Sequence, residues 1–122
     1  MLDVKFEELK GKTLANVENK GDEVIFTTET GEVYKLYHLK DCCESVTVED
    51  VCGDLYDLIG SPLVEAEEET GGKNLYGGKK EYQDSFTWTF YKLRTAKGAV
   101  TIRWYGESNG YYSTSVDFAR VA

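Results

Sequence analysis

Three observations place this chain in the α+β class. Its first third alternates in short segments broken by turns, a stretch of helical apolar spacing follows, and its last third alternates strongly. Together they predict a single α+β domain over 1–122: an antiparallel sheet of about six or seven strands with one helix inserted after the third. A length of 122 residues suits one core, and 41% apolar with 13% aromatic residues is a globular composition.

The first strand is expected between Lys12 and Lys20, closed by the turn Asn19-Lys20-Gly21-Asp22, where Asn and Gly tolerate positive φ. Glu23 to Thr28 is the second, ending at Glu29-Thr30-Gly31-Glu32. Val33 to His38 is the third, with Tyr34, Leu36 and His38 on one side and Val33, Lys35 and Tyr37 on the other. The three make a meander.

Val48, Val51, Cys52, Leu55, Leu58 and Ile59 then recur at three- and four-residue spacing, which predicts one helical face. Thr47 is the expected N-cap, Gly53 a weak interior position, and Gly60-Ser61-Pro62 the stop. Leu63 to Glu69 reads as a strand, and Gly71 to Lys80, with four glycines, as a loop without a phosphate-binding signature. Phe86, Trp88 and Phe90 alternate with threonines, and Val100, Ile102 and Trp104 alternate in the next strand. Asn109-Gly110 signals a hairpin into a strand from Tyr111 to Val121, with Tyr112, Thr114, Val116 and Phe118 on one side. Phe86, Trp88, Phe90, Trp104 and Phe118 are the expected aromatic core under the helix.

The net charge of −8 is unevenly distributed. Residues 1–70 carry 18 acids against 6 bases, and residues 71–122 carry 4 acids against 8 bases. From Asp41 to Glu69, ten acids meet no Lys or Arg: Asp41, Glu44, Glu49, Asp50, Asp54, Asp57, Glu65, Glu67, Glu68 and Glu69. Such a field repels nucleic acid directly and favours basic proteins or metal ions. A solvated charged face is the plainer reading of the same run. No apolar stretch is long enough to span a membrane, and the acidic N-terminus lacks a secretory pattern, so a cytoplasmic protein is expected.

The three cysteines lie within eleven residues, near the only histidine, His38. An odd count in a cytosolic chain argues against a disulfide framework, and adjacent cysteines bridge each other poorly. His38, Asp41, Cys42, Cys43 and Cys52 instead offer a candidate Zn²⁺ ligand set, with one of the adjacent cysteines facing the ion. The spacing matches no standard finger. Alternatively, Cys52 packs on the apolar helical stripe as a small hydrophobe and His38 is an ordinary strand end. A Cys/His nucleophile is disfavoured, because the surrounding acids raise a thiol pKa and no nucleophile elbow is present. Glu65, Glu67 and Glu69 fall on one strand face, where solvated charge is a simpler account than a glycosidase pair.

Two segments carry a family resemblance. Tyr37-His38-Leu39-Lys40-Asp41-Cys42-Cys43-Glu44 running into Val48-Glu49-Asp50-Val51-Cys52-Gly53, and Trp88-Thr89-Phe90-Tyr91-Lys92 with Ile102-Arg103-Trp104-Tyr105-Gly106-Glu107-Ser108-Asn109-Gly110, are similar to a family of small phage and prophage proteins. Some members of it resemble type II-A anti-CRISPR proteins directed at Cas9. The resemblance implies a phage-encoded, non-enzymatic inhibitor of a Cas9-type nuclease. Charge agrees with it, since a basic nucleic-acid-handling effector suits an acidic partner. The expected contacts are Glu44, Glu49, Asp50, Asp54, Asp57, Glu65, Glu67, Glu68 and Glu69, beside a structural zinc site. The rivals are an acidic immunity or antitoxin protein against a basic nuclease, a small metallo- or thiol enzyme using the His38–Cys52 cluster, and a structural module without a ligand.

Overall fold

The computed structural model describes residues 2–40, 43–71, 85–108 and 113–122. Their strands are β1 (Leu2–Asp3), β2 (Leu14–Asn19), β3 (Glu23–Thr28), β4 (Val33–Tyr37), β5 (Ser45–Cys52), β6 (Glu65–Gly71), β7 (Ser85–Thr95), β8 (Gly98–Ser108) and β9 (Asp117–Arg120). They form two antiparallel sheets, one ordered β1-β9-β4-β3-β2 and the other β5-β8-β7-β6. The only helical elements among the described residues are two single 3₁₀ turns, Phe6–Leu9 and Leu55–Leu58.

The α+β expectation is therefore corrected: the protein is nearly all β, and no helix is inserted after the third meander strand. The physical cause lies in β5. Val46 and Val48 point inward, and then a bulge between Val48 and Asp50 adds a residue, so the next inward-packing position is Val51. One extra residue turns the strand spacing of two into three, which imitates a helix. The 3₁₀ turn supplies a second three-residue step, from Leu55 to Leu58. Neither stretch is α-helical, and the β-branched content of Val46-Thr47-Val48 already favoured extended backbone. Thr47 caps nothing; Asp54 caps the turn instead, its carboxylate accepting from Tyr56 N–H at 3.0 Å.

Gly53 makes the exit from β5. Its φ of +112° belongs to glycine, and a Cβ there would lie 2.5 Å from the Ala99 carbonyl oxygen. The chain leaving that corner attaches to the first sheet: Gly60 N–H donates to Leu14 C=O at 2.9 Å, and Leu63 N–H to Lys12 C=O at 2.9 Å.

The meander is as expected. β2 pairs with β3 and β3 with β4, and Tyr34 and Leu36 are fully buried on the inner side of β4. The last strand is shorter than expected, Asp117–Arg120, and it pairs with β1 and β4; Tyr111 and Tyr112 lie outside the described residues. One core joins both sheets, with Phe26, Tyr34, Leu36 and Phe118 from the first meeting Tyr91, Leu93, Ile102 and Trp104 from the second. Phe6 closes one end, its ring centroid 4.7 Å from Tyr91 and 5.1 Å from Phe118.

The expected aromatic core is partly right. Phe86, Trp104 and Phe118 are buried, with Val100 and Ile102. Phe86 does share a strand face with Trp88 and Phe90, but it is the outer face of the second sheet, on which Phe86 is covered and the other two are partly exposed. Tyr91 opposes Ile102 and Thr89 opposes Trp104 across the ladder, so it is Thr89, Tyr91 and Leu93 that face inward.

Candidate functional site

His38 follows β4 and Glu44 precedes β5, so the connection between the two sheets brings them together. His38 Nε2 lies 2.8 Å from Glu44 Oε2, and Nδ1 lies 2.7 Å from the Ser115 carbonyl oxygen. Glu44 is 1% exposed. A carbonyl only accepts, so Nδ1 carries a hydrogen; Nε2 then meets the carboxyl through a second shared proton. Both ring nitrogens are thereby engaged, and the pair ties β4, β5 and the approach to β9 together. Glu44 was expected to contact a partner. Its burial removes it from any surface.

The other candidate metal ligands stand differently. Cys43 is disulfide-bonded, against the expectation of free thiols, while Cys52 is a free, exposed thiol with Asp50 Oδ2 at 3.7 Å. Because β5 is extended, with a rise of about 3.3 Å per residue, Cys52 stands on the order of 20 Å or more along the strand from Glu44. The helix expected there would have shortened that path by half. Among the described residues, no group of three or more His, Cys, Asp or Glu is placed to hold a metal. Asp41 and Cys42 lie outside the described residues.

The acidic run divides by strand geometry. Glu49 and Asp50, at the bulge of β5, both pair with Arg103 of β8, at 3.3 and 3.5 Å. Glu65, Glu67 and Glu69 share the outer face of β6, as expected, in register with Arg94, Lys92 and Phe90 of β7. Lys92 Nζ lies 2.6 Å from Glu69 Oε2, and this carboxylate, with Glu67 and Glu65 nearby, raises the lysine pKa above its ordinary value. Glu68 has the opposite phase and sits across from Tyr91, on the inner side. Asp54 is a cap, and Asp57 lies against Gly98 at the β7–β8 turn.

Two acidic rims, on the edge strands β5 and β6, therefore flank one sheet face. Between them runs a row the charge pattern did not disclose. The Trp88 ring lies 4.7 Å from Tyr105 and 5.1 Å from the Arg103 guanidinium, and the Phe86 ring is 6.2 Å from Tyr105. Trp88, Phe90, Arg103 and Tyr105 are each partly exposed. A sequence signal for them existed: Arg103 and Tyr105 alternate with the inward Ile102 and Trp104, so they had to point out. On this face Glu49, Asp50, Glu65, Glu67, Glu69 and Glu107 outnumber Lys92, Arg94 and Arg103.

No helix among the described residues is long and apolar enough to cross a membrane. No curated protein and no solved structure matches the chain. One family model does, over residues 7–118, a span that takes in β2 to β8, both acidic rims and the His38–Glu44 pair. The chain belongs to the family described as a domain of unknown function (DUF7448).

Proposed function

We propose that the protein is a non-enzymatic binding module that docks the outer face of β5-β8-β7-β6 onto a basic protein. The observation that carries this is the placement of Trp88, Tyr105 and Arg103 in one packed group between two acidic rims. Tryptophan, tyrosine and arginine are the residues that dominate interface energetics, and charged rims steer encounter and select a partner of opposite sign. The His38 imidazole, with a carbonyl on one nitrogen and a carboxyl on the other, has no lone pair left to serve as a general base, which favours binding over catalysis.

The partner class is a Cas9-type nuclease in the cytoplasm of a bacterial host. This choice rests on the sequence resemblance and on charge, and the module acts by occupying a basic surface that otherwise loads nucleic acid. Zinc has no part in this reading, because His38 and Cys52 stand apart; elemental analysis of the purified protein is expected to find it substoichiometric.

The test is calorimetric titration of a purified Cas9-type nuclease at low and physiological salt. Stoichiometric binding is expected, weakened by salt and reduced at least a hundredfold in Trp88→Ala with the fold intact. Absence of association at low salt, or binding indifferent to Trp88→Ala, overturns the assignment.

A further inference from the structure

Each sheet ends in two edge strands, and three of these edges are closed or cut short. On β5, Val48 N–H donates to Gly21 C=O at 2.7 Å, so the turn between β2 and β3 sits on that edge. β2 is bulged between Leu14 and Asn16, and Ile59 bridges to Leu14 at its start. β1 is only two residues long. Bulges, covers and short strands are how a sheet edge is kept from pairing with another chain.

β6 has none of these devices. It pairs with β7 from Glu65↔Arg94 to Gly71↔Trp88 without a slip in register, so it runs regular for 7 residues. Its other edge receives no backbone hydrogen bond from any element among the described residues. The first 3₁₀ turn packs near β6, yet its Phe6 and Leu9 are buried in the core and no backbone bond joins the two. Beside Glu68, a groove of about 450 Å³ shared with Asp117 and Phe118 leaves room for side chains on the inner side. Such an edge offers alternating N–H and C=O groups to an extended peptide. Charge decides which peptide. Glu65, Glu67 and Glu69 follow one another on the outer face, so a second copy of β6 laid alongside would set glutamate against glutamate and be repelled.

We propose that β6 accepts a fifth strand from a basic polypeptide, an extended segment with lysine or arginine at every second position. Its backbone bonds to the open edge, and its cations stand beside Glu65, Glu67 and Glu69. The main-chain bonds supply affinity, and the glutamates select the sequence by admitting a basic strand and rejecting self-pairing. Such a segment is the part of a basic partner that meets the β6 rim. The mode therefore rests on the outer-face reading for its partner, but on the unpaired edge for its geometry.

The experiment is an NMR titration of the full chain, at physiological salt, with a blocked heptapeptide that alternates lysine with threonine. Saturable one-to-one binding is expected, with amide exchange slowed along β6. Two versions of the peptide, N-methylated on one or the other set of alternate residues, separate strand addition from plain charge attraction. Methyls on the set facing β6 block the ladder and should weaken binding at least about tenfold, while methyls on the other set point away and should be tolerated. Glu67→Gln should weaken binding about threefold and Glu67→Lys about tenfold, both with the fold intact, and Glu18→Gln on β2 should change nothing. Equal binding of the two methylated peptides, or of a peptide alternating glutamate with threonine, overturns the fifth strand. Self-association of the chain alone, with exchange slowed along β6, would put a second copy on the edge and overturn it too. None of these results alters the effect of Trp88→Ala on nuclease binding, by which the outer-face reading stands or falls.

Discussion

The two sheets divide their outer surfaces differently. On the five-stranded sheet, charges are paired along and between neighbouring strands. Lys35 bridges to Glu23, Lys20 reaches Glu18 and Glu23, and Glu32 collects Lys12 and Arg120. Lys12 holds the Glu32 carboxyl below the usual range, and Arg120 adds to the effect. On the four-stranded sheet, by contrast, Trp88, Phe90 and Tyr105 occupy the middle and the acids sit at the edges. Both surfaces pair charges, Lys92 with Glu69 and Arg103 with Glu49 and Asp50 on the second, but the second also sets the partly exposed rings of Trp88, Phe90 and Tyr105 between those pairs. The two surfaces thus differ in kind, and they are joined by one core and one buried His–Glu pair.

That division can be broken most forcefully at the core. Phe118→Ala removes a ring in contact with Phe6, Phe26 and Tyr34 and should cost about 3–5 kcal/mol, read by urea denaturation. Trp88→Ala, of similar size change on the outer face, should cost far less stability while removing partner binding. Equal losses of stability at the two sites would erase the distinction.

Glu44→Gln tests the joint between the sheets. The amide keeps the shape but cannot share the proton between ring and carboxyl, so this buried hydrogen bond is weakened and a loss of about 1–3 kcal/mol is expected, measured by urea denaturation. A smaller step is Gly53→Ala, which forces a side chain into positive φ and against the Ala99 carbonyl. It should cost about 1–3 kcal/mol and shift amide exchange chiefly in β5 and β8.

The finest contrast lies between the two buried tyrosines, one per sheet. Tyr34 donates to Glu8 at 2.8 Å, whereas Tyr91 makes no well-formed hydrogen bond. Tyr34→Phe should therefore cost about 1–2 kcal/mol and Tyr91→Phe about nothing, or stabilise slightly. In both residues burial raises the folded-state pKa above the ordinary 10.0. The unfolded chain then ionises first, so the contribution of each is complete below pH 10.0 and declines as pH rises beyond it. The denaturation midpoint should fall between pH 10 and 11, less steeply in Tyr91→Phe. A flat profile would mean that these phenols are reached by water.

How much of this was legible in the residues depends on which interaction decided it. The meander was, because Tyr34 and Leu36 alternate without interruption and Gly21 and Gly31 mark its turns. The shared outer face of Glu65, Glu67 and Glu69 followed from the same period of two. The helix was misread because a bulge and a 3₁₀ turn each produce steps of three, and only hydrogen-bond partners distinguish these from an α-helical stripe. For the same reason Cys52 was brought too near His38. The aromatic row on β7 showed its alternation in the sequence, but alternation has two faces, and only the register with Ile102 and Trp104 says which is inside.

Local chemistry thus determined where the chain turns, which residues share a face and where charge accumulates, since these depend on neighbours a few positions away. Tertiary structure alone decided that there are two sheets, that Glu44 is buried against His38, and that the acids part into two rims. Each of those is set by pairings between strands distant in sequence, and the free energy of such a pairing belongs to both partners at once.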